Sequence, residues 1–381
     1  MTRPLWPTRL LAGLTAGVML VVSGCSSGSD DAVYGKRVTG TSVSTGAPVL
    51  VVGDSWDEVG ATGTDQGVRV YTIERAAGED VTASVSAVAA PGQDDGLDVE
   101  LRDASGTRCG SATASRYASS RNPLMSATVG STVRAGDQCL TSGRLVLSVR
   151  RAGSGTDPVQ VRLRLFTVPN VENKKYAVHE PQQQLSPLSV GASAPGTPGR
   201  WLGDAGELSP RQTVSGNVGP AALHTYRIPL QWGQGLQVQL VFPDPPPTVQ
   251  EQMQDADMRG GLHLVNPAGE FGTYSSIYLS PGGVVEVNLE PAFYASGKLT
   301  NLPGYYTLIV GVTSTKETAA VLPYQLIAAP YGAVNNGLGP QVVFATPSSG
   351  VPEAVLWVML VAGVLLIIAG MVQVTLHRQS A

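Results

Sequence analysis

The chain has 381 residues, of which 14% are charged, and its formal net charge is −4 at pH 7. It has no basic stripe, and this excludes the clustered Lys and Arg on which nucleic-acid binding depends. The sequence also lacks a phosphate-binding glycine loop, a zinc-binding helix motif and a dinucleotide fingerprint, so we predict no cofactor.

The first 24 residues have the pattern of a secretion signal. Two arginines precede an apolar run at 10–22, which has the length of a signal-peptide core and is too short to span a bilayer comfortably. The following stretch, Val22–Cys25, resembles the lipobox of bacterial lipoproteins, although Val22 stands where Leu is preferred. The resemblance implies a signal peptide at 1–24 and a diacylated Cys25 as the new N-terminus. A plain secretory signal that happens to contain this cysteine is the alternative.

The interior of the chain has the periodicity of β-strands. From residue 46 to residue 331, apolar residues recur at every second position in short runs bounded by Gly, Pro, Asp and Ser. At 159–166, aliphatic residues alternate with Gln and Arg, so the two kinds of side chain occupy opposite faces. Many short strands with frequent turns predict β-sandwiches rather than an α/β fold.

The strand pattern occurs twice. Tyr71 and Tyr226 each lie in a strand and are each followed by Gly seven residues later and an aliphatic residue ten residues later. An Asp-x-x-Gly turn beginning at Asp103 matches an Asn-x-x-Gly turn beginning at Asn266. Both are typical turn sequences, because Asx side chains bond their own backbone and Gly accepts positive φ. A later glycine-led strand also recurs, which predicts two tandem domains of one architecture.

This order of landmarks resembles the bacterial pre-peptidase C-terminal domain, a secreted jelly-roll sandwich. The resemblance covers 60–169 and 216–330, and it implies about eight antiparallel strands per domain and a role as a non-catalytic appendage. It carries over no functional residues, because the matched positions are core and turn positions. We expect an all-β protein with two tandem antiparallel β-sandwich domains of jelly-roll type, at 46–169 and 201–331. Arg outnumbers Lys 20 to 5, as in bacteria of high GC content.

The remaining segments are predicted to connect and anchor the domains. A flexible tether at 25–45, a Pro/Gln/Ser-rich linker at 170–200 and a stalk at 332–352 lack the strand pattern. Within 353–376, an unbroken run of 18 apolar or glycine residues predicts one C-terminal transmembrane helix. His and Arg after it predict a cytoplasmic tail at 377–381 and an extracellular location for the bulk of the chain.

The two domains differ in their side chains. Cys109 and Cys139 remain when Cys25 is set aside, and an even pair in an oxidising compartment predicts one disulfide. Closing a loop of this length contributes about 3 kcal/mol in the chain-entropy model. The second domain has an acidic insertion at 243–257 and more aromatic residues, which serve in most sandwiches in the core or in strand pairing. Three of them are candidates for stacking on a glycan: Trp232, Tyr274 and Tyr278.

One short motif carries residue types found in active sites. The string Gly53-Asp54-Ser55 resembles the first block of GDS-type esterases, in which the serine at a strand end is the nucleophile. That chemistry needs a base for the serine proton and donors for the oxyanion. The partner motif of the family, Asp-x-x-His, is missing, because none of the four histidines has Asp three residues earlier. An edge turn entering the first sandwich is the simpler interpretation.

Two further sets of residues have the side-chain types that ligate metal ions. The histidines His224 and His263 could approach each other in the second domain together with Asp255 and Asp257. The second group is a candidate calcium site and consists of Asp94, Asp95, Asp98 and Asp103. No EF-hand or repeat-type calcium spacing is present, and unrelated strand-face residues are the simpler interpretation of both groups. We therefore predict no metal site.

These observations together predict a membrane-anchored extracellular structural or interaction protein without a catalytic centre. It would present two non-catalytic β-sandwich modules to an unidentified protein of the cell envelope. A surface module that binds a glycan or another ligand is the alternative, and an esterase-like hydrolase is a remote one.

Overall fold

The structure of the chain is a computed structural model. It describes residues 35–76, 79–89, 93–117, 124–130, 139, 142–168, 185, 188–220, 222–278, 283–292 and 302–339. All of these belong to one compact unit, Tyr34–Thr346, which contains two β-sandwiches.

The first sandwich consists of two sheets. Its described strands are β1 (Lys36–Arg37), β2 (Val49–Leu50), β3 (Gly53–Val59), β4 (Val68–Glu74), β5 (Asp80–Val88), β6 (Asp95–Asp103), β7 (Arg108–Arg116), β8 (Leu124–Gly130), β9 (Arg144–Gly153) and β10 (Val159–Val168). Sheet A has the order β1-β3-β10-β5-β8, and sheet B has the order β2-β4-β9-β6-β7. The short edge strands β1 and β2 run parallel to their neighbours, and the other pairs are antiparallel. The order of the eight antiparallel strands is that of a jelly roll.

The second sandwich repeats this topology strand by strand. Its described strands are β11 (Ala194–Pro195), β12 (Gly206–Glu207), β13 (Thr213–Val218), β14 (Leu223–Leu230), β15 (Gly235–Phe242), β16 (Arg259–Val265), β17 (Phe271–Tyr278), β18 (Gly283–Leu289), β19 (Gly304–Thr313) and β20 (Leu322–Tyr331). Sheet C has the order β11-β13-β20-β15-β18, and sheet D has the order β12-β14-β19-β16-β17. Each order equals that of the first sandwich with ten added to every number. The prediction of two antiparallel β-sandwiches of one architecture is therefore confirmed.

Alternation of apolar and polar residues builds each core. Along β8, Met125, Ala127 and Val129 are buried, while the residues between them are partly exposed. The inward residues of sheets A and B form one hydrophobic cluster, and those of sheets C and D form another. Each sandwich therefore encloses its own core, as expected for two domains that each fold around one apolar layer.

The repeated Asx turns have the geometry that the sequence predicts. Asp103 Oδ1 accepts hydrogen bonds from the backbone N–H groups of Ser105, at 2.9 Å, and Thr107, at 2.8 Å. Asn266 Oδ1 accepts the backbone N–H of Glu270 at 2.9 Å. The glycine that ends each motif has positive φ, 90° at Gly106 and 84° at Gly269.

The tyrosine that leads each repeat is buried but has a different partner in each copy. In the first sandwich, the Tyr71 hydroxyl donates to Asp57 Oδ2 at 2.8 Å, and the same oxygen accepts the backbone N–H of Gly40 at 2.8 Å. Asp57 is on β3, opposite Val161 of β10. Burial, and next the charge of Asp57, raise the pKa of Tyr71 well above its usual value.

In the second sandwich, the repeat tyrosine bonds to a residue on β20 instead of one on the strand equivalent to β3. The residue on β13 that corresponds to Asp57 is Gly216, and the residue opposite it on β20 is Tyr324 instead of valine. The hydroxyls of Tyr226 and Tyr324 lie 2.7 Å apart and bond to each other. A Cβ at Gly216 would lie only 2.6 Å from the Tyr324 hydroxyl oxygen, so this strand position must be glycine. Each copy thus satisfies its buried hydroxyl by a different neighbour.

The acidic insertion of the second sandwich forms the α-helix α1 (Pro247–Asp255), with a proline at the start of its first turn. Met253 of the helix and Met258, directly after the insertion, are buried and belong to the second core. The backbone N–H of Thr315 donates to the carbonyl of Ala256 at 2.9 Å, which attaches the end of the insertion to the loop after β19. The insertion therefore adds to the core of the sandwich that carries it. Two short 3-10 turns complete the described elements, Asp65–Gly67 and Asn336–Leu338.

The sandwiches begin earlier than the sequence pattern indicates. Strand β1 lies within the segment expected to be a tether, 25–45, and β11 lies within the expected linker, 170–200. Leu188, also in the expected linker, packs on Ile327 at the outward face of sheet C. Two-residue edge strands have no period-two pattern by which they could be recognised, so the expected boundaries fell too late.

The predicted signal peptide, Cys25 and the predicted transmembrane helix at 353–376 lie outside the described residues. Within the described part of the chain, none of the helices combines the length and apolar character that crossing a bilayer requires.

The exchange at Gly216 leads to a stability prediction. Gly216→Ala should lower the free energy of unfolding by about 1–3 kcal/mol, because the new methyl group overlaps the Tyr324 hydroxyl. Gly219→Ala is the matched control: the nearest atom to its Cβ would lie 3.7 Å away, so its effect should stay within about 0.5 kcal/mol. Urea denaturation of the full chain measures both. Equal losses in the two variants would contradict the proposed role of Gly216.

Candidate functional site

The outward face of sheet A is covered. Thr82, Ser84 and Ser86 alternate with core residues along β5 and so point away from the first core, yet none is more than 4% exposed. Arg162 lies opposite Ser86 on β10 and is 2% exposed. The outer face of an antiparallel sandwich is ordinarily solvated, so another part of the protein must shield these polar residues.

Part of that cover is the Asx turn of the second sandwich. The Ser84 hydroxyl donates to the carbonyl of Ala268 at 3.0 Å, and Arg164 Nη1 donates to the carbonyl of Pro267 at 3.3 Å. A Cβ on Gly269 would lie 2.9 Å from Ser84 Cβ. The glycine therefore serves two purposes: it takes the positive φ of the turn, and it lets the backbone approach sheet A. We call this contact, made by Ser84 and Arg164 with 266–269, the junction.

An ion cluster supports the junction from the first sandwich. Asp54 on β3 is bound by two arginines of β10: Arg164 donates to it through Nε at 2.8 Å and Nη2 at 2.9 Å, and Arg162 donates through Nη2. Burial alone would raise the pKa of Asp54, but the charges of Arg162 and Arg164 outweigh burial and hold that pKa far below its usual range. The carboxylate thus stays ionised and paired at every ordinary pH.

A loop of the second sandwich brings a further charge toward this cluster. Burial lowers the pKa of Arg162 to about 10, and attraction by Asp54 and by Asp204 opposes that change. Asp204 Oδ1 accepts the backbone N–H groups of Trp201, at 2.7 Å, and Arg200, at 3.0 Å, which holds the loop in shape. The Trp201 carbonyl accepts the Thr225 hydroxyl at 2.7 Å, so the loop is fastened to sheet D. The negative charge of Asp204 in the second sandwich therefore attracts Arg162 of the first.

The esterase-like string is part of this cluster and of the first core. Asp54 is occupied by the two arginines. Ser55 is 4% exposed, points to the opposite side of β3 and pairs with Leu163. The histidines among the described residues, His224 and His263, belong to the second sandwich. Ser55 therefore lacks the exposed strand-end position that a nucleophile of this type needs.

The two histidines of the second sandwich are not brought together. His224 and Leu262 both pair with Val310, so His224 shares the inward face of sheet D, whereas His263 pairs with Ile309 on the outward face. His224 Nδ1 lies 2.8 Å from the Tyr324 hydroxyl, and burial lowers the pKa of His224. Burial lowers the pKa of His263 to about 4. Their positions on opposite faces of sheet D exclude the shared metal site for which the sequence makes them candidates.

The acidic candidates are likewise engaged separately. Asp255 pairs with Lys316 at 2.8 Å, and Asp257 lies 3.6 Å from Arg259. Asp95 forms a buried bidentate pair with Arg151, at 2.9 and 2.8 Å.

In the calcium candidate, Asp98 accepts the Thr113 hydroxyl at 2.9 Å, and Asp103 shapes its own turn. Asp94 contributes its backbone carbonyl to Ser154 N–H at 2.9 Å. The part of the chain that the structure describes contains no group of three or more side chains arranged to hold a metal ion.

The candidate glycan-stacking aromatics have different environments. Trp232 is 6% exposed, and its ring lies against Gly339, where a Cβ would come within 2.3 Å of Trp232 Cζ2. The Trp232 carbonyl accepts the backbone N–H of Asn335 at 2.8 Å. Trp232 thus holds the beginning of the predicted stalk. Tyr274 and Tyr278 lie on β17, and their side chains are outside the described set.

The predicted disulfide is confirmed. Cys109 on β7 is bonded to Cys139, with their Cα atoms 5.6 Å apart. The Arg75 guanidinium donates to the carbonyls of Cys139, Ser142 and Glu79, so it holds the Cys139 end of the disulfide loop beside the connection from β4 to β5. Burial lowers the pKa of Arg75, and the charges of Asp80 and Glu79 oppose this change.

The junction was not found from the sequence. Arg162 and Arg164 alternate with aliphatic residues on β10, which is also the pattern of an exposed face. Phe166, the next residue on that face, is 4% exposed and was the available signal, since it is a large apolar side chain among charged ones. One such residue is a weak indication of contact.

Comparisons with known proteins give no family for this chain. No family model matches it, and no curated protein matches it. Among solved structures, the CBM22 tandem domain of Paenibacillus barcinonensis Xyn10C is 12% identical, with 73% of this chain and 93% of that one covered and a TM-score of 0.19. The tandem CBM51 modules of a family 98 glycoside hydrolase from Streptococcus pneumoniae are 10% identical, with 71% and 83% covered and a TM-score of 0.20.

A Cowpea Mosaic Virus particle protein is 14% identical, with 31% of this chain covered and a TM-score of 0.19. This chain spans 62% of that protein's length. Similarities at this level assign neither a family nor a ligand. The class that the strand order itself defines is a tandem jelly-roll β-sandwich protein.

The ion cluster leads to a second stability prediction. Asp54→Asn should destabilise the full chain by about 3–5 kcal/mol, because it leaves two arginine charges with little solvent access uncompensated. Asp255→Asn removes an ion pair whose carboxylate is 78% exposed and serves as the control, with little expected effect. Urea denaturation midpoints report the difference. A midpoint for Asp54→Asn equal to that of the unsubstituted chain would show that the cluster does not support the junction.

A third prediction concerns Asp80 at the start of β5. Its Oδ1 is buried without a hydrogen-bond partner among the described groups, and burial, opposed by the charge of Arg75, raises the pKa of Asp80 to about 6. Since the folded pKa exceeds the unfolded one, near 4, this group stabilises the fold below pH 4 and loses that contribution as pH rises through 6. Asp80→Asn should therefore stabilise the chain by about 1–3 kcal/mol at pH 8 and much less at pH 4. Thermal denaturation across this pH range tests the sign, and a gain that is independent of pH would exclude titration as its cause.

Proposed function

We propose that this chain is a membrane-anchored extracellular interaction protein that presents its two sandwiches as one body to a protein of the cell envelope. The predicted lipid on Cys25 and the predicted helix at 353–376 would hold it at the membrane from both ends.

The observation that carries the proposal is the junction. Arg164 and Ser84 bond to the 266–269 turn, while Asp54 keeps Arg164 in place. Modules joined only by a linker would reorient freely. Modules joined by buried polar contacts have a fixed relative orientation, so a partner would meet a surface that is already organised and would lose less entropy on binding.

The use of the polar side chains supports the same proposal. Asp54, Asp57 and His224, which have the types needed for acid–base chemistry, are bonded to Arg164, Tyr71 and Tyr324 respectively. Each of these bonds fixes a strand or a core tyrosine. The side chains of these three described residues therefore stabilise the fold.

The experiment is photo-crosslinking in native membranes. A photoreactive amino acid placed in turn at exposed positions of both sandwiches, such as Tyr117 (70% exposed) and Val321 (51% exposed), should capture the same envelope protein. Asp54→Asn should reduce capture at least severalfold by loosening the junction, whereas the control Asp255→Asn should not. Mass spectrometry identifies the captured protein.

Two outcomes would contradict the proposal. Recovery of no reproducible protein partner at any position would count against protein recognition altogether. Retention of the purified chain on cell-wall polysaccharide, lost in Tyr274→Ala or Tyr278→Ala, would favour the glycan-binding alternative instead.

A further inference from the structure

One edge of the first sandwich exposes an unusual run of apolar side chains. Four valines within ten residues are exposed by 45–61% of their surface: Val43, Val49, Val51 and Val52. Strand β2, the edge of sheet B, contributes Val49, and the connection from β2 to β3 contributes the next two. Scattered exposed valines are ordinary in proteins, but four within ten residues at one edge of a sandwich indicate a contact surface.

Two basic residues lie on the same edge. Lys36 and Arg37 form β1, the edge strand of sheet A, and both are exposed. The segment after β1 crosses to sheet B, where Thr41 bridges to Val70, so it connects the two edge strands on one side of the sandwich. Asp54, whose backbone contacts Gly35, is already bound by two arginines and does not neutralise this charge. We call Lys36, Arg37 and the four valines the β1/β2 edge.

The second sandwich provides an internal comparison. Matching Tyr71 to Tyr226 aligns Leu50 with Leu208, and both are buried in their cores. The neighbouring residues do not correspond in character: Glu207, Ser209 and Pro210 stand where the first sandwich has Val49, Val51 and Val52, and Ala194 and Pro195 stand where it has Lys36 and Arg37. The fold therefore does not require an apolar, basic edge. Only the copy nearer the N-terminus has one.

The position of this edge in the chain points to its occupant. Gly35, the first described residue, is ten residues after Cys25, the predicted lipid site, so the lipid can lie no more than about 35 Å from it. Exposed aliphatic groups with adjoining basic residues match the surface of an anionic bilayer, where the aliphatic groups enter the headgroup region and the charges meet lipid phosphates. Strand addition by a protein is disfavoured, because β2 is only two residues long and offers little backbone for a ladder.

We propose that the β1/β2 edge of the first sandwich docks on the outer surface of the membrane and recognises anionic phospholipid. This inference rests on the anchoring in the proposed function, and it adds an orientation: the first sandwich lies against the bilayer with this edge, and the junction carries the second sandwich along with it.

The test uses the full chain purified from its native membrane and reconstituted into vesicles. One set of vesicles is neutral phosphatidylcholine, and the other includes roughly 30% phosphatidylglycerol. Val51→Cys and, as the matched control, Ser209→Cys each receive a fluorescent label, and lipids with a nitroxide headgroup serve as quencher. Quenching at position 51 should be at least twice that at position 209, and stronger in the anionic vesicles.

Charge removal is the second arm. Lys36→Gln with Arg37→Gln should weaken docking in anionic vesicles about 25-fold, at about fivefold per charge, and should have little effect in neutral ones. Retention of the disulfide and an unchanged denaturation midpoint show that the variant is folded. Equal quenching at positions 51 and 209 in vesicles that hold the protein would overturn the inference. Contact between two labels at position 51 of different chains would also overturn it, in favour of self-association.

Thiol labelling and flotation test the anchoring separately from the docking of the edge. If Cys25 is lipidated and Cys109 is bonded to Cys139, the chain without an added cysteine takes up no thiol label. Uptake of label at Cys25 would reject the lipid anchor, and failure of the chain to float with the vesicles would reject the anchoring on which the proposed function depends. Flotation without preferential quenching at position 51 would reject only the docking of the edge.

Discussion

Asp54 and the arginines that bind it lie on neighbouring strands, at positions fixed by the antiparallel register in which Arg164 of β10 faces Asp54 of β3. A shift of that register by one residue would turn the charges into the first core and the leucines outward. The apolar alternation that builds the core therefore also places the cluster on the outer face. Because Arg164 reaches the turn of the second sandwich from there, the packing inside one domain determines how the other is held.

Much of the fold could be predicted from the sequence. Period-two alternation, the two Asx turns and the glycine-led strands were sufficient for two sandwiches of one topology, because these features are local and repeat in order. The edge strands β1 and β11 were missed, since two residues carry no period. The disulfide followed from counting cysteines in a secreted chain.

The junction could not be predicted in the same way, because it joins residues 103 and 184 positions apart in sequence and uses backbone carbonyls that any residue could supply. Arg162 and Arg164 have the residue type of an exposed face, yet Arg162 is 2% exposed and the Arg164 side chain is 20% exposed. For the same reason, Trp232 was expected among ligand-contacting aromatics and instead packs on Gly339. Alternation indicates the face on which a side chain lies but does not show what covers that face.

The different partners of the two repeat tyrosines have a consequence for how the chain assembles. Tandem copies of one topology risk exchanging strands during folding, since β3 could pair with β20 as well as with β10. Such a hybrid would place Asp57 opposite Tyr324. In the native pairing, Asp57 lies opposite a valine, and Tyr324 requires a glycine opposite it. The reciprocal hybrid, β13 with β10, would bring Gly216 and Val161 together and leave a buried tyrosine hydroxyl without a partner. The divergence of these two positions thus disfavours both hybrids and favours the pairing of each strand within its own sandwich.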